Sequence, residues 1–120
     1  RGAAYRVRVD RSNFHSGARS VVLQAVDAGA APGVESLSVQ LPAISYRLSF
    51  WACTELDKVA EVRARLSKSE TTTATVKEDW KYYEYTIELE EDKPEKLFRI
   101  WTTTKGARVW IDDVALRRVR

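Results

Sequence analysis

Tyr46-Arg47-Leu48-Ser49-Phe50-Trp51 decides the fold class. Tyr46, Leu48 and Phe50 take alternate positions, and Arg47, Ser49 and Trp51 fill the places between them. A strand sends successive side chains to opposite faces, so this period of two predicts one buried face and one wet face. The same alternation runs outward on both sides. Upstream, Leu37, Val39 and Leu41 alternate with Ser38 and Gln40, and Tyr5, Val7 and Val9 alternate with Arg6, Arg8 and Asp10. Val21 and Leu23 lie between those two runs. Downstream, Tyr83, Tyr85, Ile87 and Leu89 alternate with Glu84, Thr86 and Glu88. Phe98 and Ile100 follow, then Val109 and Ile111. Each run is short and rich in β-branched or aromatic residues, as strands prefer.

The breaks between runs are turn chemistry: Ser16-Gly17, the 27–33 loop with Pro32, Pro42, the 92–94 stretch and Lys105-Gly106. Strands so spaced pair antiparallel and bury one face each. Two such sheets make a β-sandwich or jelly roll. Residues 55–70 are ambiguous. Leu56, Val59, Ala60, Val62 and Leu66 suit a helix face, while Val62, Ala64 and Leu66 alternate with Arg63 and Arg65 as in a strand.

The 120 residues fit a single domain, 1–120, large enough to bury a core without staples. Charged residues at 31% and hydrophobic residues at 44% exclude a disordered chain. No apolar run approaches the length of a membrane span, which gives no membrane partner. Arg1-Gly2-Ala3-Ala4 has no signal-peptide core, and the chain reads as a piece of a larger protein. The net charge of +3 collects at the ends, at Arg1, Arg6, Arg8 and Arg11 and at Arg117, Arg118 and Arg120. No nucleic-acid motif accompanies it, so these read as solvated termini and no nucleic acid is expected. Cys53 is the one cysteine, and its setting, Phe50-Trp51-Ala52, makes it a small buried hydrophobe.

Catalysis needs a base, a nucleophile and an orienting group. The chain has one histidine, His15, beside a Ser-Gly turn, and no nucleophile elbow, metal motif or phosphate loop. It reads as no enzyme. Asp112-Asp113 is a carboxylate pair, but neighbours on a strand point apart and cannot flank one glycosidic bond. Two readings stay open for them: a ligand to a structural Ca²⁺, or a solvated strand end.

The aromatic residues are more telling. Four Trp and five Tyr have a strong claim to burial, so the plain reading is that they fill the core, and the alternation argues against it for some. If Leu48 and Phe50 point inward, Trp51 points outward with Arg47. By the same parity Trp110 opposes Val109 and Ile111, and Tyr82 and Glu84 oppose Tyr83 and Tyr85. Outward rings on a sheet suit sugar stacking, with polar neighbours for the hydroxyls; rings covered by loops are the alternative. Trp80 is expected to plug the sandwich end. Trp101 is placed with Arg99, Arg63 and Arg65 in a second patch, suited to an acidic sugar or simply solvated.

The order of these features resembles a known family. His15-Ser16-Gly17-Ala18-Arg19-Ser20, Tyr46-Arg47-Leu48-Ser49-Phe50-Trp51-Ala52, Trp80-Lys81-Tyr82-Tyr83 and Val109-Trp110-Ile111-Asp112-Asp113-Val114-Ala115-Leu116 resemble motifs of galactose-binding-like carbohydrate-binding modules, families 4, 9 and 22. Together they span about residues 10–116. The resemblance implies a strand around 61–66. It implies one sheet holding the strands of residues 21–24, 46–51, 82–89 and 108–116. On its outer face Trp51, Tyr82 and Trp110 would stack on sugar, and Arg47, Gln24 and Glu84 would bond its hydroxyls. Asp112, with backbone oxygen near Gly17, would hold a structural Ca²⁺. The sequence departs from the family in lacking its usual Asn-x-x-Phe-Glu strand ahead of the turn. That leaves an edge open to pairing with a second chain.

The resemblance further implies non-catalytic binding of an oligo- or polysaccharide, outside the cell, on behalf of a tethered catalytic or surface domain. The second expectation is a structural or protein-interaction domain whose aromatic face meets a neighbouring domain. Fold alone does not choose between them.

Overall fold

The computed structural model describes residues 4–27, 29–35, 39–41, 45–66, 71–88, 93–96 and 98–118. Leu37, Ser38, Pro42, Leu89 and Asp92, and the terminal Arg1 to Ala3 and Arg120, lie outside the described residues. Eleven strands follow one another with no helix among the described residues: β1 (Tyr5–Asp10), β2 (Ser20–Ala25), β3 (Gly33–Glu35), β4 (Val39–Leu41), β5 (Ser45–Thr54), β6 (Ala60–Leu66), β7 (Thr72–Val76), β8 (Lys81–Glu88), β9 (Lys93–Lys96), β10 (Phe98–Thr102) and β11 (Arg108–Arg118).

They form a five-stranded sheet, β1-β2-β11-β5-β8, and a four-stranded sheet, β3-β10-β6-β7, with β4-β9 as a separate ladder. All strand pairs are antiparallel. The chain crosses between the two larger sheets after β2, β5, β7 and β10, so sequence neighbours face one another across the core. The expected grouping of β2, β5, β8 and β11 in one sheet holds, and residues 60–66 are a strand.

Alternation sets the core. Leu23, Leu48, Phe50, Val109, Ile111 and Ile87 of the larger sheet meet Val62, Ala64, Ala74, Val76 and Ile100 of the smaller one. Phe50 stacks at 5.5 Å on Tyr83 within this core. At β1 the core thins. Tyr5, Val7 and Val9 register with Ala25, Leu23 and Val21 on the core side, yet all three are exposed.

One bulge matters to the site. Pairing of β11 with β5 is regular from Val109 to Asp112 and shifts between Asp112 and Ala115. The bulge therefore follows Asp112. Asp113 absorbs it with a φ of 53°, in a left-handed region that Asp tolerates better than most residues. Outward parity of Trp110 and Asp112 is thus preserved.

Candidate functional site

The outer face of the five-stranded sheet is built in cross-strand rows. Trp51 sits between Asp112 of β11 and Tyr82 of β8. In the next row Trp110 lies between Val22 and Cys53, with Arg8 beyond Val22. The row after that is Arg6, Gln24 and Arg108. Ser49 of β5, next to Arg47's position by two residues, pairs with Glu84. All six expected residues, Gln24, Arg47, Trp51, Tyr82, Glu84 and Trp110, therefore project from one face.

They do not form one open surface. The connection from β1 to β2 folds back over the sheet. Asp10 Oδ1 accepts the Ser12 N–H and hydroxyl, and Asp10 Oδ2 accepts Trp110 Nε1–H at 2.6 Å. Asn13 Oδ1 accepts Trp80 Nε1–H at 3.2 Å. His15 lays its ring on Trp51 at 3.7 Å and 13°. Trp110 is left 7% exposed, packed with Val22, Cys53 and Trp80. The expectation that Trp110 offers a face to sugar is corrected: its direction is outward, but the β1–β2 connection covers it. Trp51 is half-buried, and the face it would give a sugar is taken by His15. Trp80 joins this outer cluster and does not plug the sandwich end. Cys53 is buried, as its setting predicts, and burial pushes its thiol up to about 11.

Tyr82, Glu84 and Arg47 remain open. Tyr82 is 45% exposed and meets Trp51 at 5.6 Å, tilted 55°. Its hydroxyl donates to Glu84 Oε2 at 2.7 Å, and Glu84 Oε1 accepts from Arg47 Nε at 2.9 Å. The ring is buttressed from behind, and its polar edge is fixed. Gln24 stands apart, at the far end of the face, in a cavity of about 550 Å³ lined by Arg6, Arg8, Glu55, Lys58, Gly106 and Arg108. Sequence reading took Arg6 and Arg8 as a solvated end. Their spacing of two was the available signal, since it puts both on the face that carries Gln24.

Asp112 and Asp113 close the His15-Ser16-Gly17 turn. Asp112 Oδ2 accepts the backbone N–H of His15 and of Ser16, and Oδ1 accepts that of Asp113. The Ser16 hydroxyl reaches both Asp113 oxygens, at 2.7 and 2.8 Å. His15 Nδ1 lies 2.9 Å from Asp113 Oδ2, which as a carboxylate can only accept. Calcium does not fit this donor set. The ion wants about six to eight oxygens, and here N–H and O–H donors are aimed at the carboxylates. No group of three ligating His, Cys, Asp or Glu side chains lies together among the described residues. Gly17 supplies the turn's φ of 72°.

These hydrogen bonds leave a pH signature. The Ser12 N–H, then the Trp110 indole and the Ser12 hydroxyl, hold the Asp10 carboxyl down from 3.8 to about 2. The Ser16 hydroxyl, then His15, hold Asp113 below its ordinary value. A lowered folded pKa gives stability that is full above the unfolded value and is lost as pH falls through the folded one. Urea midpoints are expected to fall as pH drops from 3.8 toward about 2. Asp10→Asn should flatten part of that slope; an unchanged slope would mean the Asp10 contacts contribute nothing.

On the smaller sheet, Trp101 is buried, with the Arg99 guanidinium 4.9 Å and that of Arg65 5.8 Å from its ring centre and Arg63 opposite it in register. The two guanidinium groups cover the ring, so the second expected patch presents arginines and no free aromatic face.

No protein-family model and no curated protein matches the sequence. The fold does match solved structures. The CBM22-1 xylan-binding domain of Paenibacillus barcinonensis Xyn10C superposes with a TM-score of 0.71 at 15% identity, over 97% of this chain and 82% of that one. TmCBM61 in complex with β-1,4-galactotriose gives 0.69 at 22% identity, over 96% and 88%. The CBM22-1–GH10 modules of Clostridium thermocellum xylanase 10B, complexed with xylohexaose, give 0.73 at 14% identity, over 97% of this chain and 25% of that one. The chain shares the two-sheet β-sandwich fold of these carbohydrate-binding modules.

Proposed function

We propose that this domain binds carbohydrate without acting on it. The observation that carries this reading is the exposed Tyr82 ring, backed by Trp51 and edged by the Arg47–Glu84 pair. A fixed aromatic plane offers a sugar's C–H face a dry contact, and the paired charges offer its hydroxyls both donors and acceptors. Solved modules of this fold that bear sugar-binding names support it. So does the xylanase in which such a module is joined to a GH10 module. On this reading the domain works outside the cell and keeps a tethered catalytic or surface domain close to a polysaccharide. The gain is local concentration, and the affinity of one such patch is modest.

A glycan array followed by calorimetry tests it. Tyr82→Ala should weaken the best ligand about tenfold or more, the loss expected for one stacking residue, with the melting temperature almost unmoved. Failure to bind any glycan would sink this reading. A second reading, a protein-interaction domain, is favoured by the exposed Tyr5, Val7 and Val9 on the edge strand β1, where a neighbouring domain or a second copy would add a strand.

A further inference from the structure

The cavity at the β1 end of the same face holds more positive charge than the fold uses. Arg6, Gln24 and Arg108 form one row across β1, β2 and β11, with strands about 5 Å apart. Arg8 stands two residues along from Arg6, about 7 Å away on the same face. Lys58, from the turn between β5 and β6, closes the side, and Gly106 leaves the floor without a side chain. Glu55 is the cavity's one acid, and it is spent on Arg108. Its Oε1 accepts the Arg108 backbone N–H at 2.9 Å, and its Oε2 takes the guanidinium at 3.2 and 3.4 Å. Among the described residues no carboxylate comes within ion-pair distance of Arg6, Arg8 or Lys58.

Arg8 feels the Asp10 carboxylate two residues along β1, but Asp10 is already bonded to Ser12 and Trp110, and cations clustered with so little counter-charge repel one another. All three line one open groove of about 550 Å³, so their charge acts on a shared volume that a ligand can reach from solvent. We infer that this cavity is an anion subsite for an acidic glycan, taking a uronate carboxylate or a sulfate ester between Arg6, Arg8 and Lys58. The inference rests on the carbohydrate reading above. Guanidinium groups suit both anions, because their forked donors match two oxygens at once. Gln24, with a donor and an acceptor at the centre of the row, suits the hydroxyls of the ring that carries the anion. This subsite is separate from the Tyr82 patch, since covered Trp110 lies in the row between them.

The test uses calorimetry at low salt with three probes of matched length: an oligogalacturonide, a sulfated heparin-derived oligosaccharide and a neutral galacto-oligosaccharide. The proteins are the wild type, Arg6→Gln/Arg8→Gln and Tyr82→Ala. Arg6 and Arg8 are exposed and on an edge strand, so an unchanged melting curve will show that the double variant folds. The wild type should bind at least one acidic probe about tenfold more tightly than the neutral one, the scale of one charge-assisted hydrogen bond. The double variant should lose that advantage, weaken the salt dependence and keep its affinity for the neutral probe. The better of the two acidic probes identifies carboxylate or sulfate as the source. Equal binding of acidic probes by wild type and double variant would overturn the inference. So would equally tight, Arg6- and Arg8-dependent binding of a single-stranded oligonucleotide, which would mark a general polyanion surface. Neutral binding that depends on Tyr82 without acidic preference would overturn the subsite alone; no saccharide binding at all would overturn both readings.

Discussion

Trp110→Ala is expected to cost the fold about 3–5 kcal/mol, the range for deleting a large buried aromatic ring. The ring packs on Val22, Cys53 and Trp80 and lies beneath Arg108, whose guanidinium is 5.3 Å from its centre. Its indole N–H also anchors Asp10, at the start of the covering connection. Truncation therefore removes contact area and loosens the cover together. A domain of this size has only about 5–15 kcal/mol of net stability, so the variant should be marginal. Urea denaturation reads the effect directly as a fall in midpoint at constant slope. Trp110→Phe retains most of the packing and loses the hydrogen bond, so it should lose less and leave glycan affinity intact. A truncation that left the midpoint unmoved while abolishing glycan binding would show the ring facing ligand after all.

Gly33→Ala is the second large effect, about 3 kcal/mol, at the top of the usual cost of overpacking. Gly33 pairs with Trp101 at the join of β3 and β10. A Cβ there would collide with the Ile100 carbonyl oxygen and stand 2.7 Å from the Trp101 Cβ. Both are held by backbone that is paired on its other side with β6. The ladder must open, which strains the Thr102 N–H bond to the Pro32 carbonyl and shifts Trp101 against Arg65 and Arg99. Thermal melting with tryptophan emission should show a lower midpoint and a disturbed Trp101. A melt identical to wild type would mean that β3 gives way at no cost.

What the sequence made legible was direction. A period of two fixes which side chains share a face, and it placed Phe50 in the core and Trp51, Tyr82 and Trp110 outside it. Direction is local; cover is not. Whether Trp110 meets solvent depends on Asp10, 100 positions away, bonding back to it, and on Asn13 holding Trp80 beside it. No local pattern carries that. The bulge after Asp112 was hidden similarly, because an extra residue shows only against the partner strand. Gly33 looked like turn chemistry, and its role is the room that a bare backbone leaves for β10. Arg6 and Arg8 looked like a charged end because their companions, Lys58 and Arg108, come from distant turns and strands.

His15 on Trp51 has an optical consequence. Trp51, Trp80 and Trp110 all lie under or beside one connection, and Trp101 alone sits on the other sheet. Three of the four indoles therefore report on that connection. A spectral change on adding saccharide would register the imidazole lifting off the indole, or a sugar settling on Tyr82 beside it.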